Sequence, residues 1–434
     1  MSALAIGLIF LGVMLILIFL GMSVGTSMGI AAVIGFACIV STNAAIAKAG
    51  SSPFDTINSY SYAVIPLFVL MANIIATTGV GKDLYDFFHK CVGRFRGGLA
   101  MATVLACAVF SAISSTTVAT AVTIGLIAFP EMRRAGYDDS LSSGTIASGG
   151  TLGVLIPPSS VMITYAIIAQ ASMTKLFIAG VVPGIILAVL MCIAIYVTCL
   201  INPKAGPKSE KYSFKDIIKS LLKCLEVIIL IALVLGGLFA GWFTPTEAGA
   251  IGAAGAIIIT LIRKKLTWKN FIDAVKGTLE NTGMVYMILI GAFLLNYMVA
   301  SAGITNALAN LVSGANMGYK GVTIIIILIM LVLGCFLDSL AMVLLTMPIF
   351  FPVVTALGAD PLWFGIIVTL AMQLGCITPP VGMNLFVTAG LDKSLGINKV
   401  IKGAIPFIAS ILVIMILLLI WPELATWLPY LGAR

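Results

Sequence analysis

The stretch GGTLGVLIPPSS, from Gly149 to Ser160, interrupts a long apolar segment with three glycines and two adjacent prolines. Proline lacks an N–H and its ring clashes with the preceding helical turn, so two in a row break a helix. In hydrocarbon, a break leaves backbone groups unpartnered at roughly several kcal/mol each, unless protein, water or a ligand satisfies them. The stretch therefore predicts a broken membrane helix whose break lines a cavity.

A second break lies far downstream, in QLGCITPPVGMN from Gln373 to Asn384. It repeats the pattern of a glycine followed by a pair of prolines. Two broken helices at corresponding positions of two halves are typical of the binding site of a secondary transporter.

The composition places the chain in the membrane. Of its 434 residues, 61% are hydrophobic and 9% are charged, whereas a soluble chain has about 25% charged residues. We therefore predict an all-α polytopic membrane protein embedded in a lipid bilayer. The net charge of +8 does not indicate nucleic-acid binding, because the basic residues lie in short loops where they set topology. Eight cysteines without a CxxC pair and a single histidine, His89, favour neither a metal site nor disulfides.

Apolar runs mark the spanning helices of the first half. The first three reach the roughly 20 residues that a spanning helix needs, and they lie at 3–20, 27–48 and 59–78. The first lacks a basic n-region and a cleavage site, so we expect a retained span and not a signal peptide. A charged, amphipathic stretch follows at 79–98.

Residues 99–129 are apolar but hold a polar cluster, SAISSTT (111–117), at their midpoint. We predict a re-entrant hairpin with this cluster at its tip, because two arms of about 13 residues cannot cross roughly 30 Å of hydrocarbon. Basic pairs on both flanks favour two cytoplasmic ends. The alternative is one spanning helix with the cluster at mid-bilayer.

The rest of the chain continues this pattern. A capping box is expected in GWFTPTEAG, where Thr244 precedes Pro245 and Glu247. The remaining predicted segments are a broken helix at 143–170, spans at 175–201, 219–241, 246–262 and 278–299, an amphipathic stretch at 303–321, a second hairpin at 322–351 with FLDSL (336–340) at its tip, a broken helix at 362–391 and a last span at 398–421.

Proline spacing reveals an internal repeat. The interval from Pro130 to Pro157 in the first half equals the interval from Pro352 to Pro379 in the second half. Both prolines of the second half therefore lie at one constant offset from those of the first. The polar tips coincide at the same offset, with Thr116 equivalent to Asp338 and Thr117 equivalent to Ser339.

With both hairpins re-entrant, the chain has about ten crossing helices and the two repeats run in opposite directions, which predicts an inverted repeat. In this topology 20 Lys and Arg residues face the cytoplasm and 4 face the other side. This bias predicts the orientation, with both termini in the periplasm.

The tips and breaks predict where ligands bind. Helix N-termini favour an anion, while helix C-termini and unwound carbonyls favour Na⁺. Oxygen ligands also suit a hard cation. The alternatives are that the hydroxyls bond to local backbone, and that Asp338 only caps its own hairpin. We expect one Na⁺ site at Ser114, Ser115, Gly150 and Gly153, a second at Asp338, Gly375 and Thr378, and an anion between them at Ser115, Thr116, Thr117, Ser159 and Asn384.

The chain resembles the large membrane subunit of the TRAP (tripartite ATP-independent periplasmic) transporters. The similar stretches span nearly the whole sequence: IPLFVLMA (65–72), GGLAMATVLACAVFSAIS (97–114), PEMRRAGY (130–137), GGTLGVLIPPS (149–159), FTPTEAGAIGA (243–253), LDSLAMVLLTMPIFFP (337–352) and ITPPVGMNLFV (377–387).

The resemblance implies a Na⁺-coupled, elevator-type importer of the bacterial inner membrane. Its substrates would be small organic anions: C4-dicarboxylates, other carboxylates, sialic acids or sulfonates. It implies two partners, a small four-helix membrane subunit (the Q subunit) and a periplasmic substrate-binding protein (the P subunit). It implies no ATP site, and the sequence has no GxxxxGK[ST] motif.

The resemblance also divides the chain into a scaffold and a transport domain. The implied scaffold comprises residues 1–78 and 202–300, and the implied transport domain comprises 79–201 and 301–425. The sequence departs from many relatives at the SSTT of the first tip and at Gln373, where an acidic residue is common.

Two other functions stay open at this stage. One is a stand-alone Na⁺/anion symporter that needs no binding protein, and the other is an anion channel. Two opposed hairpins would block a continuous pore, which disfavours the channel. An enzyme is not expected, since His89 lies on an amphipathic segment far from either tip.

Overall fold

The computed structural model describes residues 2–114, 116–209, 211–314, 317–392 and 394–431, although not the side chains of 312–314. All regular structure in these ranges is helical. The helices are α1 (Ala3–Phe19), α2 (Val24–Ile39), α3 (Thr42–Ile57), α4 (Val64–Ala76), α5 (Val80–Val92), α6 (Gly98–Ser114), α7 (Thr117–Arg134), α8 (Asp139–Gly150), α9 (Ser160–Ile168), α10 (Met173–Ile201), α11 (Phe214–Phe239), α12 (Pro245–Ile262), α13 (Trp268–Ser301), α14 (Ile304–Gly314), α15 (Tyr319–Gly334), α16 (Ser339–Ala356), α17 (Pro361–Cys376), α18 (Met383–Ala389), α19 (Ile397–Ile420) and α20 (Glu423–Leu431), with 3₁₀ turns at Tyr60–Ala63 and Thr151–Val154.

Length and apolar composition confirm a polytopic membrane protein. Among the described residues, six helices are long and apolar enough to span a bilayer: α10, α11, α12, α13, α16 and α19. A bent pair, α3 with α4, provides a seventh candidate with a 54° bend. Helices α1 and α2 are apolar but have only 17 and 16 residues. The total of ten crossings stays a prediction.

The N-terminal region corrects one predicted span. A single helix over 27–48 is wrong, because α2 ends at Ile39 and α3 begins at Thr42. The Ser41 side chain caps α3 by accepting a hydrogen bond from the Ala44 N–H. A capped N-terminus satisfies the free amides of a new helix and favours a restart there.

Both predicted hairpins are present as helix pairs. Helices α6 and α7 pack against each other on either side of the first tip, as do α15 and α16 around the second. Their arms have 16 to 18 residues, not the expected 13. At 1.5 Å per residue these arms are about 25 Å long, as long as the candidate span α12, and α16 is itself a candidate span. Helix length therefore does not distinguish a re-entrant arm from a span, and re-entry stays a prediction.

Both predicted breaks are also present. Helix α8 ends at Gly150 and α9 begins only at Ser160, with the first proline pair between them. Helix α17 ends at Cys376 and α18 begins at Met383, after the second pair. Each pair is joined by a cis peptide bond.

The residues that cap corresponding helices of the two halves are separated along the chain by the same number of residues as the prolines. Thr116 caps α7 and its equivalent Asp338 caps α16. Asp138 caps α8 and its equivalent Asp360 caps α17, in each case through a carboxylate oxygen that accepts two backbone N–H groups. The caps therefore support the repeat, while its inversion stays a prediction.

The helices pack in two groups. In one, α13 packs against α2 and α4, and α12 packs against α4 and α11. In the other, α8 packs against α6, α7 and α19, α10 packs against α19 and α20, and α15 packs against α17. Helix α5 contacts α6 on one side and α11 on the other. The groups meet where α16 lies against α13 and α6 lies against α4.

Candidate functional site

A cavity of about 660 Å³ lies where the two hairpin tips meet the first break and α13. The residues that line it come from both halves of the chain. They are Thr116, Thr117, Val118, Ala119, Val122 and Thr123 of the first hairpin, Val154, Ser160 and Val161 around the first break, Asn281 and Met284 of α13, Asp338, Ser339 and Leu340 of the second hairpin, and Met383 of α18.

The first tip packs tightly on the first break. A Cβ atom added to Gly150 would lie 2.7 Å from the Ala121 Cβ and 3.0 Å from the Thr117 carbonyl oxygen. One added to Gly153 would lie 3.4 Å from the Thr116 carbonyl oxygen. The two glycines therefore let the break approach backbone carbonyls of the tip, as the first predicted Na⁺ site requires.

The serines of the first tip have different surroundings. The Ser114 hydroxyl forms a hydrogen bond with the Thr120 hydroxyl and lies 3.5 Å from the Thr116 carbonyl oxygen. Ser115, predicted for both the cation and the anion, lies outside the described residues. The structure thus brings Ser114 to the same turn as the carbonyls that face Gly150 and Gly153.

The second tip carries the carboxylate of Asp338. Its Oδ1 accepts the Leu340 and Ala341 N–H groups at 2.8 and 3.1 Å, so the residue caps α16. Oδ1 therefore has the capping role that we gave as the alternative to ion binding for Asp338. The side chain is half-buried and also lines the cavity, so the cap does not remove it from the site.

The second tip packs on the second break through backbone. A Cβ atom added to Gly375 would lie 2.8 Å from the Gly334 Cα. The Gly382 N–H donates to the Cys335 carbonyl, while the Cys335 Sγ lies 3.6 Å from the Thr378 carbonyl oxygen. The Thr378 hydroxyl donates to the carbonyl of its own helix at Leu374. Because a hydroxyl that donates keeps its lone pairs, both the carbonyl and the hydroxyl of Thr378 can serve at the second predicted Na⁺ site.

The four described residues among those predicted for the anion divide into two pairs. Thr116 and Thr117 line the cavity. Ser159 is fully buried and caps α9, accepting from the Met162 N–H at 3.4 Å. Asn384 is fully buried and donates to the Ala147 carbonyl at 3.1 Å. Neither Ser159 nor Asn384 is among the residues that line the cavity.

Sequence reasoning missed the contribution of α13. Asn281 and Met284 face the cavity from this helix, opposite the hairpin tips. The signal in the sequence was a polar residue, Asn281, near the start of the apolar span 278–299. A single asparagine in an apolar helix does not by itself indicate a ligand site. Ser160 and Met383 lie within the two break stretches and begin α9 and α18, but they were not among the predicted ligands.

The electrostatics of the cavity combine one carboxylate with three helix N-termini. Helices α7, α9 and α16 begin at the cavity, and their first-turn N–H groups and dipoles favour negative charge. Among the described residues that line the cavity, Asp338 is the one charged side chain, and none is a lysine or arginine. An anion in this cavity must therefore be neutralised by something other than a basic side chain.

A second cavity, of about 710 Å³, lies elsewhere, between the ends of α8, α10 and α19. Asp139 in its lining already pairs with Arg133 and Lys399 at 3.2 and 3.3 Å. The described residues contain no group of three His, Cys, Asp or Glu side chains that could hold a metal ion. The chemistry at the tips is therefore that of neutral oxygens and one carboxylate.

Comparison with known proteins agrees with this architecture. Residues 11–424 match the family described as "Tripartite ATP-independent periplasmic transporter, DctM component". The C4-dicarboxylate TRAP transporter large permease protein DctM of Pseudomonas aeruginosa is 34% identical over 377 residues, covering 87% of this chain and 88% of that protein. The sialic acid TRAP transporter large permease protein SiaM of Vibrio cholerae is 30% identical over 417 residues, covering 96% of each.

Among solved structures, MtrF of Neisseria gonorrhoeae, from a class of antimetabolite efflux pumps, aligns with a TM-score of 0.59 at 15% identity over 87% of this chain and 84% of that one. This similarity concerns the fold alone. The family match includes both tips and both breaks, and the two permeases cover 87% and 96% of the chain. The chain therefore belongs to the DctM family, the large permease component of the tripartite ATP-independent periplasmic transporters.

Proposed function

We propose that the protein imports a small organic anion across a bacterial inner membrane by Na⁺-coupled, elevator-type transport, and that it is not an enzyme. The observation that carries this proposal is the cavity between the two tips, where three helix N-termini meet one carboxylate and no basic side chain. An anion fits the N-termini, but Asp338 repels it, so a bound cation is needed to balance the charge.

Two Na⁺ ions would supply this balance. We assign one to Ser114, Ser115 and the carbonyls near Gly150 and Gly153, and the other to Asp338, Gly375 and Thr378. Support comes from the tight packing of each tip on its break. Each charge that moves inward across 100 mV gains about 2.3 kcal/mol, so two ions with a monovalent anion suffice for uphill import.

The position of the cavity supports an elevator in its inward-facing state. Helix α13 begins at Trp268, after the basic loop that we predict to be cytoplasmic, and is still charged at Lys276 and Glu280. Asn281 and Met284 follow at once, so the cavity lies near the cytoplasmic end of the apolar part of α13. A transport domain that carries both tips toward the periplasm would present the same cavity to the other side.

A contact at the second tip agrees with this position. The Phe336 ring meets the edge of the Phe19 ring with 5.9 Å between ring centroids. Phe19 is the last residue of α1, and this end is cytoplasmic if the N-terminus is periplasmic as predicted. The second hairpin, expected to enter from the periplasm, would then reach the cytoplasmic side of the scaffold.

The substrate is most simply a carboxylate. The two permeases compared above are named for C4-dicarboxylates and for sialic acid, and both of these carry carboxylate groups. A sulfonate has a similar anionic group and belongs to the same proposal. We assign contacts with the anion to Thr116 and Thr117 of the first tip, which line the cavity.

The family description implies the partners. We propose a small four-helix Q subunit in the membrane and a periplasmic P subunit that delivers the anion. No role for ATP is proposed, since the name of the family excludes it.

Uptake into proteoliposomes tests the proposal. The chain is reconstituted with its Q subunit and offered labelled C4-dicarboxylates, sialic acid and sulfonates, each with its purified P subunit, with and without an inward Na⁺ gradient. Uptake that requires both Na⁺ and the P subunit supports the proposal and names the substrate. Uptake with Na⁺ alone supports a stand-alone symporter, and currents at channel-like rates support an anion channel.

A further inference from the structure

A second group of polar side chains lies away from the cavity, where α8 meets α17 and α18. All of its members are fully buried in the protein. They are Ser148 and Thr151 near the end of α8, Gln373 in the last turn of α17, and Asn384 and Thr388 on α18.

The hydrogen bonds of this group determine how both amides point. The Gln373 Nε2 donates to the Thr151 hydroxyl at 2.9 Å, and the Asn384 Nδ2 donates to the Ala147 carbonyl at 3.1 Å. The Thr151 hydroxyl in turn donates to the Ser148 carbonyl. A carbonyl can only accept, so Asn384 cannot be flipped without losing its bond. The Thr151 hydroxyl already donates its one hydrogen to Ser148, so it accepts from Gln373.

Four oxygens of the group have no protein partner. They are the hydroxyls of Ser148 and Thr388, the Gln373 Oε1 and the Asn384 Oδ1. Each such atom buried without a hydrogen bond costs roughly 1–3 kcal/mol, so four of them in one region require an explanation.

The residues that carry these oxygens lie on or against one short piece of α8. Asn384 and Gln373 bond to the two ends of the stretch 147–151, and Ser148 lies within it. Thr388 follows Asn384 by one turn on the same face of α18. The four oxygens without a partner therefore belong to residues that lie in this stretch, bond to it, or follow one turn later on α18.

The electrostatics of this region favour a cation. Ser148 and Gln373 each lie in the last turn of a helix, and helix C-termini carry partial negative charge. Amide and hydroxyl oxygens are the ligands that hard cations prefer. Among the described residues, no buried lysine or arginine lies in the core to compete.

We propose that a third Na⁺ binds here, coordinated by Ser148 Oγ, Gln373 Oε1, Asn384 Oδ1 and Thr388 Oγ1. The site is separate from the two at the tips, and its use in coupling rests on the proposed function, although Na⁺ binding itself does not. Gln373 and Thr151 are separated by the repeat offset, so they are repeat equivalents that bond directly to each other. The ion would thus hold the two broken helices together at the junction of the halves.

A Na⁺ titration of thermal stability tests the site. The purified full-length chain is titrated with NaCl, with choline chloride holding the ionic strength constant and no organic anion present. The melting temperature is followed as Na⁺ increases, and the rise that saturates at the lowest Na⁺ concentration is compared between variants. Asn384→Leu removes one ligand oxygen and is expected to raise the half-saturating Na⁺ concentration of this rise at least tenfold. Gln373→Glu replaces a neutral ligand by a carboxylate and is expected to lower it at least threefold. Tighter binding cannot result from misfolding, so this variant remains informative if Asn384→Leu does not fold.

The matched control is Thr145→Val. The Thr145 hydroxyl is equally buried on α8, but it already donates to the Leu141 carbonyl. The control should titrate like the wild type. If Gln373→Glu and every folded Asn384 variant also titrate like the wild type, the oxygens hold water and the proposal is wrong.

Two further outcomes separate this proposal from the proposed function. If the half-saturating Na⁺ concentrations shift as expected but uptake does not depend on Na⁺, the third site is supported and Na⁺-coupled import is excluded. If uptake requires Na⁺ while both variants keep the half-saturating concentration of the wild type, Na⁺-coupled import is supported and the third site is excluded.

Discussion

At the scale of the residue, the cap and the charge of Asp338 are separable. One oxygen, Oδ1, accepts two backbone N–H groups at the start of α16. The same side chain faces the cavity as its one charged member. A carboxylate in a membrane protein is expensive unless it is paired, so a bound Na⁺ is the partner that we propose.

Asp338→Asn separates these roles. Asparagine keeps the capping oxygen and removes the charge, so the stability of α16 should change little. The half-saturating Na⁺ concentration for uptake should rise at least tenfold, because the cation loses its charged ligand. Asp138→Asn changes another aspartate that caps a helix through two backbone N–H groups, but outside this cavity, and should leave the Na⁺ dependence unaltered. If Asp338→Asn leaves the Na⁺ dependence unchanged, Asp338 caps α16 and does not bind Na⁺.

At the scale of the element, each hairpin tip is fitted to a broken helix by glycine. Gly375 and Gly334 bring the backbones of α17 and α15 into direct contact. Backbone cannot move aside as a flexible side chain can, so an added methyl group must separate the two helices.

Gly375→Ala should therefore reduce uptake at least tenfold and lower the melting temperature. In contrast, Gly236→Ala places its methyl group where no atom lies within 4 Å. Alanine is better than glycine inside a helix by up to about 1 kcal/mol, so this variant of α11 should be as stable as the wild type or slightly more stable. Full uptake by Gly375→Ala would show that the close approach is not needed.

Helix α5 connects the two packing groups at the predicted cytoplasmic face. Its Asp83 pairs with Arg263 at 2.7 Å, and Arg263 also pairs with Glu226 of α11 at 2.8 Å. The His89 Nε2 lies 3.1 Å from the Ser209 hydroxyl. Burial lowers the pKa of His89 below its usual 6.5. The folded protein therefore keeps this ring neutral where the unfolded chain would protonate it.

This difference predicts a pH dependence of stability. Because the unfolded state binds the extra proton, stability is greatest above pH 6.5 and decreases as the pH falls below it. Melting temperatures measured between pH 7.5 and 5.5 should decrease for the wild type. In His89→Gln, which cannot be protonated, the slope should be smaller. Parallel slopes for the two proteins would contradict a lowered pKa of His89 in the folded protein.

At the scale of the whole molecule, the two groups of helices must slide past each other if the elevator proposal is right. The contact of Phe336 with Phe19 joins the second tip to the end of α1. In the outward-facing state this contact would be broken, because the tip moves while α1 holds still.

A cross-link across this contact should therefore block transport. Phe19→Cys and Phe336→Cys are combined in a background whose native cysteines have been replaced, and a short cleavable bifunctional thiol reagent is applied. Uptake should fall below a tenth of its initial rate and return after reduction. Each single variant treated with the same reagent should keep its uptake. A fully cross-linked protein that still transports would exclude the elevator motion.

Much of the fold followed from local chemistry. Proline pairs broke the helices at the predicted places, and the capping box formed as expected, with the Thr244 N–H donating to Glu247 at 2.8 Å. Apolar length identified the polytopic class. The helix boundary at Ser41 was missed, since a short polar interruption in an apolar run does not by itself show whether the helix restarts.

The sequence by itself determined that there are two breaks, two polar tips and an internal repeat, because these depend on backbone sterics and on spacing along the chain. Only the tertiary structure decided which polar groups meet. It directed Asn384 to the carbonyl of Ala147 and Gln373 to Thr151, and it brought Asn281 of a distant helix to the tips. Such contacts depend on how helices that are far apart in sequence pack together, and periodicity along one chain carries no information about that packing.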